Sequence, residues 1–133
     1  MVSDRKPRRR FIRRGTDPLQ DDSRLAYYGV GLFNGEGGSV VRRPKGQRCE
    51  PTLQIAMYSK DALEHLAKWW GVSVTNAGKD ECKRDPANPS GRAFMLQAKG
   101  LRAKIIMDNM ISTGFLSGEK KRQWEHVLRE CPL

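Results

Sequence analysis

The segment Tyr27–Gly37, which reads YYGVGLFNGEG, constrains the fold of this chain more than any other. It predicts an apolar helix in which Gly31 and Gly35 share one face, where a second backbone can approach closely. Glu36 ends the helix, and the glycine that follows stops it. Because the C-terminal end of a helix is its negative end, a cation is favoured beside that carboxylate. We therefore expect a close-packing interface and a metal site at the same place.

The net charge indicates a polyanionic partner. The 133 residues suit one domain with a single modest core, and 25 Lys+Arg against 15 Asp+Glu give +10. Nucleic acid is the leading partner for such a balance. An anionic membrane surface is the weaker alternative, because no apolar run approaches the length of a span and no basic amphipathic helix stands out. The basic N-terminus lacks the apolar stretch of a signal peptide, so we expect an intracellular protein with no membrane partner.

The chain divides into a basic arm, residues 1–20, and a single domain, residues 21–133. The arm has two prolines and almost no apolar content, so we expect it to be flexible and to lie along phosphates, although a solubilising tail is the alternative. Its cations are Arg5, Lys6, Arg8, Arg9, Arg10, Arg13 and Arg14.

The cysteines predict three reduced thiols. Cys49, Cys82 and Cys131 are odd in number and widely separated, and no CxxC occurs. A zinc site or a disulfide is therefore the less favoured interpretation.

Periodicity and cap residues predict four helices and four strands in the order αββαββαα. Asp22 or Ser23 caps the first helix, Ser59 caps the second and Gly71 ends the second. This order is typical of an α+β fold: one four-stranded antiparallel sheet with helices on one face, plus a C-terminal helix. The predicted helices are 24–34, 60–70, 101–111 and 118–129, and the predicted strands are 39–43, 52–58, 72–76 and 93–98.

The sheet face away from the helices is the predicted nucleic-acid surface. In the second strand Leu53, Ile55 and Met57 alternate with polar residues, so one face is core and the other is largely polar. Arg and Gln can read bases and Lys can bind phosphate, although a solvated sheet face is the alternative. The candidates are Thr52, Gln54 and Tyr58, with Arg42 or Arg43 and the turn residues Lys45 and Arg48.

Three segments together resemble one protein family. Gly31–Gly37 (GLFNGEG) is similar to the core of the LAGLIDADG motif in its variant GLFDGEG. Pro51–Val74 resembles the strand–helix–strand segment that follows the motif. Phe94–Leu128 resembles the closing strand and helices, including the step Lys120–Gln123. From Arg24 to Leu128 the chain therefore looks like a LAGLIDADG homing endonuclease.

The resemblance implies a nuclease that cuts both strands of a long DNA site, with a saddle-shaped sheet over the major groove. It assigns Glu36 as the catalytic ligand of Mg²⁺ or another divalent metal and Lys120 as a second catalytic residue, for which a helix-capping lysine is the alternative. One motif supplies one carboxylate, so a homodimer is implied, with Gly31, Gly35 and Tyr28 at the contact.

Departures from the motif leave other functions open. Asn34 stands where the motif often has Asp, and Gly29 and Val30 replace its Leu-Ala pair. A second hypothesis keeps the fold without cleavage, as a DNA- or RNA-binding maturase or regulator. A third is a basic nucleic-acid-binding module unrelated to the family, with Glu36 an ordinary surface charge.

Overall fold

The computed structural model describes residues 17–81 and 92–133 and has the predicted element order. None of the helices in this part of the chain is long and apolar enough to cross a membrane. The helices are α1 (Ser23–Glu36), α2 (Lys60–Trp70), α3 (Leu101–Ser112) and α4 (Gly118–Glu130), and the strands are β1 (Gly37–Arg42), β2 (Glu50–Met57), β3 (Val74–Glu81) and β4 (Arg92–Lys99).

The predicted cap residues set three of the helix ends. Of the two candidate caps for α1 it is Asp22 whose side chain accepts the N–H of Leu25. Ser59 caps α2 in the same way, and Gly71 ends α2 in the left-handed conformation with φ 78°. A side-chain oxygen at such a position satisfies one of the backbone donors left free in the first turn of a helix.

The strands form one antiparallel sheet in the order β1-β2-β4-β3, which confirms the predicted α+β class. β1 follows α1 without a connecting loop, so it begins two residues earlier than predicted, at Gly37 rather than Ser39. Its first residue lies opposite Ile55 and its last opposite Glu50. The end of α1 is therefore fixed directly to one edge of the sheet.

The core lies between the helices and one face of the sheet. Trp69 and Trp70 are both buried, and the indole N–H of Trp69 donates to the carbonyl of Gln20 at 2.7 Å. The sheet contributes Leu53, Ile55, Leu96 and Ala98, and the helices contribute Ala26, Val30, Phe33, Leu63, Leu66, Ala67, Ala103, Ile106, Met107, Met110 and Trp124.

Residues 17–20, at the end of the predicted arm, contact the domain. The buried guanidinium of Arg102 donates to the carbonyl of Trp70 at 2.6 Å and also to the carbonyl of Asp17. Leu19 packs against the core. The rest of the predicted arm, residues 1–16, lies outside the described residues.

Helix α4 runs along β1, which is an edge strand. Lys120 Nζ donates to the carbonyl of Gly37 at 2.6 Å, and Gln123 Oε1 accepts the N–H of Ser39 at 3.3 Å. Backbone groups on a sheet edge need such partners when no further strand pairs with them. Trp124 and Val127 are buried, so α4 packs against the core and also covers the edge.

The prediction of three reduced thiols is wrong, because Cys49 and Cys131 form a disulfide across 82 residues. The six residues of β1 and the thirteen of α4 each span about 20 Å. Since α4 starts beside the first residue of β1, its end reaches the turn where β1 meets β2. Cys131 follows α4 and Cys49 precedes β2, so the two meet there.

Candidate functional site

Glu36 is exposed at the C-terminal end of α1, as the sequence predicted. The next residue, Gly37, is buried, and its N–H donates to the carbonyl of Phe33. A Cβ at Gly37 would lie 2.3 Å from Phe33 Cδ1, in a ring that is itself fully buried. The chain therefore turns from helix to strand in a space that admits only glycine, directly after the carboxylate.

Lys120 brings a cation to the same junction. Its half-buried side chain extends from the first turn of α4, and Nζ lies 2.6 Å from the carbonyl oxygen of Gly37, the residue after Glu36. The ammonium thus binds a carbonyl at the start of β1 rather than capping its own helix. The two candidate catalytic residues are brought to one place, which we call the α1–β1 junction: Glu36, Gly37 and Lys120.

The glycines of α1 divide into a packed and an open set. A Cβ at Gly29 would lie 3.0 Å from Leu66 Cδ1, so Gly29 is the residue that lets α2 approach. At Gly31 and Gly35 a Cβ would meet no atom of the described residues within 4 Å, and both residues are exposed. The packing role of Gly29 was not predicted, although it lies three residues after the buried Ala26 and four before the buried Phe33 and so belongs to the core face. The contact of Gly31 and Gly35 with a second copy stays a prediction.

Aromatic residues border the open glycine face. Tyr27, one turn before Gly31, is 50% exposed and lies edge-to-face with Phe115 at 5.5 Å between ring centroids. Tyr28 is 37% exposed, and its hydroxyl donates to the carbonyl of Ala62 at 2.6 Å. Tyr28 is therefore fixed against α2, and the rest of its ring remains accessible.

Asn34 makes contacts that the sequence did not predict. Its Nδ2 donates to the carbonyl of Phe115 at 2.8 Å, and its Oδ1 accepts the N–H of Ser117 at 2.9 Å. The two partners lie 81 and 83 residues away, in the loop between α3 and α4. No local pattern indicates so distant a pairing, and the resemblance drew attention only to the missing carboxylate.

Of the two candidate arginines, Arg42 and Arg43, only Arg42 lies on the free face of the sheet. Arg42 is exposed and lies with Val40 on the face of β1 opposite to the buried Ser39. Arg43 follows the strand and forms an ion pair with Glu130 of α4 at 3.8 Å. Arg42 is therefore the candidate DNA contact, and Arg43 lies toward the helices.

The prediction that Thr52 is exposed on the free face is wrong. Thr52 is fully buried, and its hydroxyl donates to the carbonyl of Glu50 at 3.3 Å. It occupies an inner strand, opposite Val40 on one side and Lys99 on the other. Alternation gives the face on which a residue lies, but neighbours on adjacent strands decide whether it reaches solvent.

Gln54 lies on that face beside a residue that sequence analysis missed. The two are directly opposite, and Gln97 Nε2 donates to Gln54 Oε1 at 3.2 Å. Both are half-buried. Alternation in β4 could have identified Gln97, because it is out of phase with the buried Leu96 and Ala98.

The other predicted DNA contacts lie at opposite ends of β2, with Lys45 and Arg48 before the strand and Tyr58 after it. Lys45 and Arg48 are exposed in the turn between β1 and β2, which is closed by the N–H of Gln47 donating to the carbonyl of Pro44. Tyr58 is half-buried directly after β2. With Arg42, the turn residues form a basic group that we call the hairpin cations: Arg42, Lys45 and Arg48.

A metal ligand set is not complete within the described part of one chain. Among residues 17–81 and 92–133 no group of three or more His, Cys, Asp or Glu could hold a metal ion. Glu36 offers one exposed carboxylate at the negative end of a helix, and carboxylate oxygen suits Mg²⁺. A divalent metal at Glu36 would therefore need further ligands from outside the described part of this chain.

Comparison with known proteins supports the fold. Neither a protein-family model nor a curated protein matches the sequence. Among solved structures the chain is similar to the archaeal intron-encoded homing endonuclease I-Vdi141I in complex with DNA, with a TM-score of 0.54 and 14% sequence identity. The match covers 82% of this chain and 67% of that one. The fold is thus like that of a homing endonuclease.

Proposed function

We propose that this protein is a LAGLIDADG-type, site-specific DNA endonuclease that acts as a homodimer with a divalent metal. The α1–β1 junction carries the proposal: an exposed carboxylate at the end of α1, and an ammonium 2.6 Å from the next carbonyl. The likeness in fold to a homing endonuclease bound to DNA supports it. The net charge of +10 suits a nucleic-acid partner.

In this proposal Glu36 holds the metal against the scissile phosphate. When bound, Mg²⁺ offsets negative charge on the phosphate and makes water a stronger nucleophile. Lys120 stabilises the charge that develops on the phosphate oxygens, from a position already fixed by Gly37. A cut in both strands takes two such carboxylates, one from each copy.

The open glycine face supports the dimer. Gly31 and Gly35 are exposed, and in the described part of the chain each Cβ position has free space, so another backbone can lie against them. Two copies related by a two-fold axis would place the same face on both sides of the contact. The two α1 helices would then end side by side and bring the two Glu36 carboxylates near the axis.

DNA contacts in the proposal come from the hairpin cations and the free face of the sheet. Arg42, Lys45 and Arg48 are exposed and would bind phosphates and guanine edges. Gln54, paired with Gln97, would offer amide groups to bases. Thr52 is left out because it is buried.

The cleavage test is selection of cut sites from a randomised duplex library with Mg²⁺. We expect the wild-type protein to enrich one family of cleaved sites and Glu36→Gln to enrich none. Glu125→Gln, at an exposed carboxylate on α4, is the charge-matched control and should cut normally. A wild-type protein that enriches bound but never cut sites is the binding protein of the second hypothesis, and the endonuclease proposal then fails.

The dimer test uses Gly31→Leu. Because no atom of residues 17–81 or 92–133 lies within 4 Å of a Cβ at this position, the variant should fold at least as well as the wild type, while the added side chain blocks close approach. Sedimentation should show a wild-type dimer at micromolar concentration and a Gly31→Leu monomer. A wild-type monomer on its DNA site would contradict the dimer.

A further inference from the structure

We propose that Asn34 is a positioning residue that fixes Lys120 at the α1–β1 junction, and that an aspartate cannot replace it in this chain. The inference rests on the proposed function for its catalytic consequence. Its structural basis is a closed circuit of hydrogen bonds between α1, the loop from α3 to α4, and the first turn of α4.

The first part of the circuit is the Asn34 amide. It faces one carbonyl, that of Phe115, and one N–H, that of Ser117, at 2.8 and 2.9 Å. These neighbours determine the orientation of the amide, because only Nδ2 can donate and only Oδ1 can accept. Asn34 thus uses a donor and an acceptor together to hold the loop against α1.

The second part runs from this loop to the catalytic candidate. Ser117, held by Asn34, is the N-cap of α4, and its Oγ accepts the N–H of Lys120 at 3.2 Å. The Lys120 side chain then returns to the junction and donates to Gly37. Asn34 and Gly37 are three residues apart, so the circuit leaves α1 and comes back to its end. Moving the loop would move Lys120 relative to Glu36.

An aspartate would break the circuit. An ionised carboxylate has the shape of the amide but only accepts hydrogen bonds. It would keep the bond from Ser117 and place a negative oxygen against the carbonyl of Phe115, which would then lose its donor.

The primary test measures single-turnover cleavage and DNA affinity for Asn34→Asp. We expect the cleavage rate to fall by about tenfold to a hundredfold, the scale for a displacement near 1 Å at a reacting centre. Affinity without Mg²⁺ should stay close to that of the wild type, because the hairpin cations lie at the other end of β1. A variant that cuts as fast as the wild type overturns the proposal.

A double-mutant cycle separates positioning from a general structural role. If Asn34 acts through Lys120, then adding Asn34→Asp to Lys120→Ala should slow cleavage no further. Additive losses would mean that Asn34 supports the fold in some other way, and the proposal would then be wrong. Asn76→Asp, the same chemical change at an exposed position of β3, controls for the added charge.

A third measurement does not depend on cleavage. The half-buried Lys120 ammonium should react slowly with an amine-acylating reagent because it is bonded to Gly37. Asn34→Asp and Asn34→Ala should speed its labelling, read by peptide mass spectrometry, while labelling of the exposed Lys121 stays constant. Unchanged labelling of Lys120 in a folded Asn34→Asp variant overturns the proposal. Faster labelling in a protein that never cuts supports the circuit and rejects the endonuclease.

Discussion

The two ends of α4 are attached to the hairpin of β1 and β2 by different chemistry. At its N-terminal end, Lys120 and Gln123 make hydrogen bonds to the backbone of Gly37 and Ser39. At its C-terminal end, Cys131 is covalently bonded to Cys49, beside an exposed ion pair. The first end lies at the proposed catalytic junction and the second at the hairpin cations.

The disulfide contributes mainly to the stability of the protein, whereas the hydrogen bonds mainly fix atomic positions at the α1–β1 junction. A hydrogen bond contributes about 1 kcal/mol net but demands particular distances and angles. A disulfide that closes a long loop contributes several kcal/mol and does not depend on the position of atoms 20 Å away, roughly the length of α4. Changes at the far end should therefore alter stability, and changes at the near end should alter cleavage more than stability.

The largest expected effect on stability is at the covalent end. Cys49→Ser with Cys131→Ser should lower the free energy of unfolding by about 4–5 kcal/mol for a loop of 82 residues. The melting temperature should fall by about 10 °C or more, measured by circular dichroism. Wild-type protein with a dithiol reductant should match the variant, and Cys82→Ser should melt with the wild type. An unchanged melting temperature in the double variant would show that the disulfide at the C-terminal end of α4 does not stabilise the protein.

The next effect is at the packed turn of the near end. Gly37→Ala places a Cβ 2.3 Å from the Phe33 ring, which is buried and has no space to move. Overpacking of this kind costs about 1–3 kcal/mol, and urea unfolding would measure it. Gly35→Ala, in open space two residues earlier, is the matched control and should be neutral or stabilising at low protein concentration. Equal losses in both would refute the packing argument.

A smaller effect on stability is expected from Gln123→Ala, which removes the acceptor for the Ser39 N–H. The loss should be about 1 kcal/mol, because that N–H is part-buried and water can partly replace the acceptor. Amide hydrogen exchange at Ser39 should speed up, with no change at the Cys131 end of α4. Faster exchange at both ends would show that the two attachments are not independent.

The smallest effect is expected from Arg43→Gln at the far end. Both side chains of its pair with Glu130 are more than half exposed, so stability should change by no more than about 1 kcal/mol. Arg42→Gln on the free face is the comparison: it should weaken DNA binding and reduce its salt dependence more than Arg43→Gln does. The reverse order would place Arg43, not Arg42, against DNA.

Sequence reasoning identified what depends on neighbours in the chain. Asp22, Ser59 and Gly71 act where the cap rules place them. The alternating positions of Leu53 and Ile55 correctly predicted the core face of β2, because side chains along a strand alternate between its two faces. The element order followed from such signals and confirmed the fold class.

What the sequence missed depends on contacts between distant segments. Thr52 is buried between Val40 and Lys99 of the adjacent strands, and Cys49 meets Cys131 because α4 matches β1 in length. Asn34 could be read as a lost carboxylate until its partners in the loop before α4 were known. Each of these features depends on the tertiary arrangement, which a local sequence pattern does not reveal.

The cover that α4 forms over β1 also limits how copies of this protein can aggregate. An uncovered edge strand is a template for pairing with a strand of another molecule. At β1 the side chains of Lys120 and Gln123 already occupy the outward carbonyl of Gly37 and the outward N–H of Ser39. Growth of a continuous intermolecular sheet from this edge would first require α4 to detach, and the disulfide opposes that step.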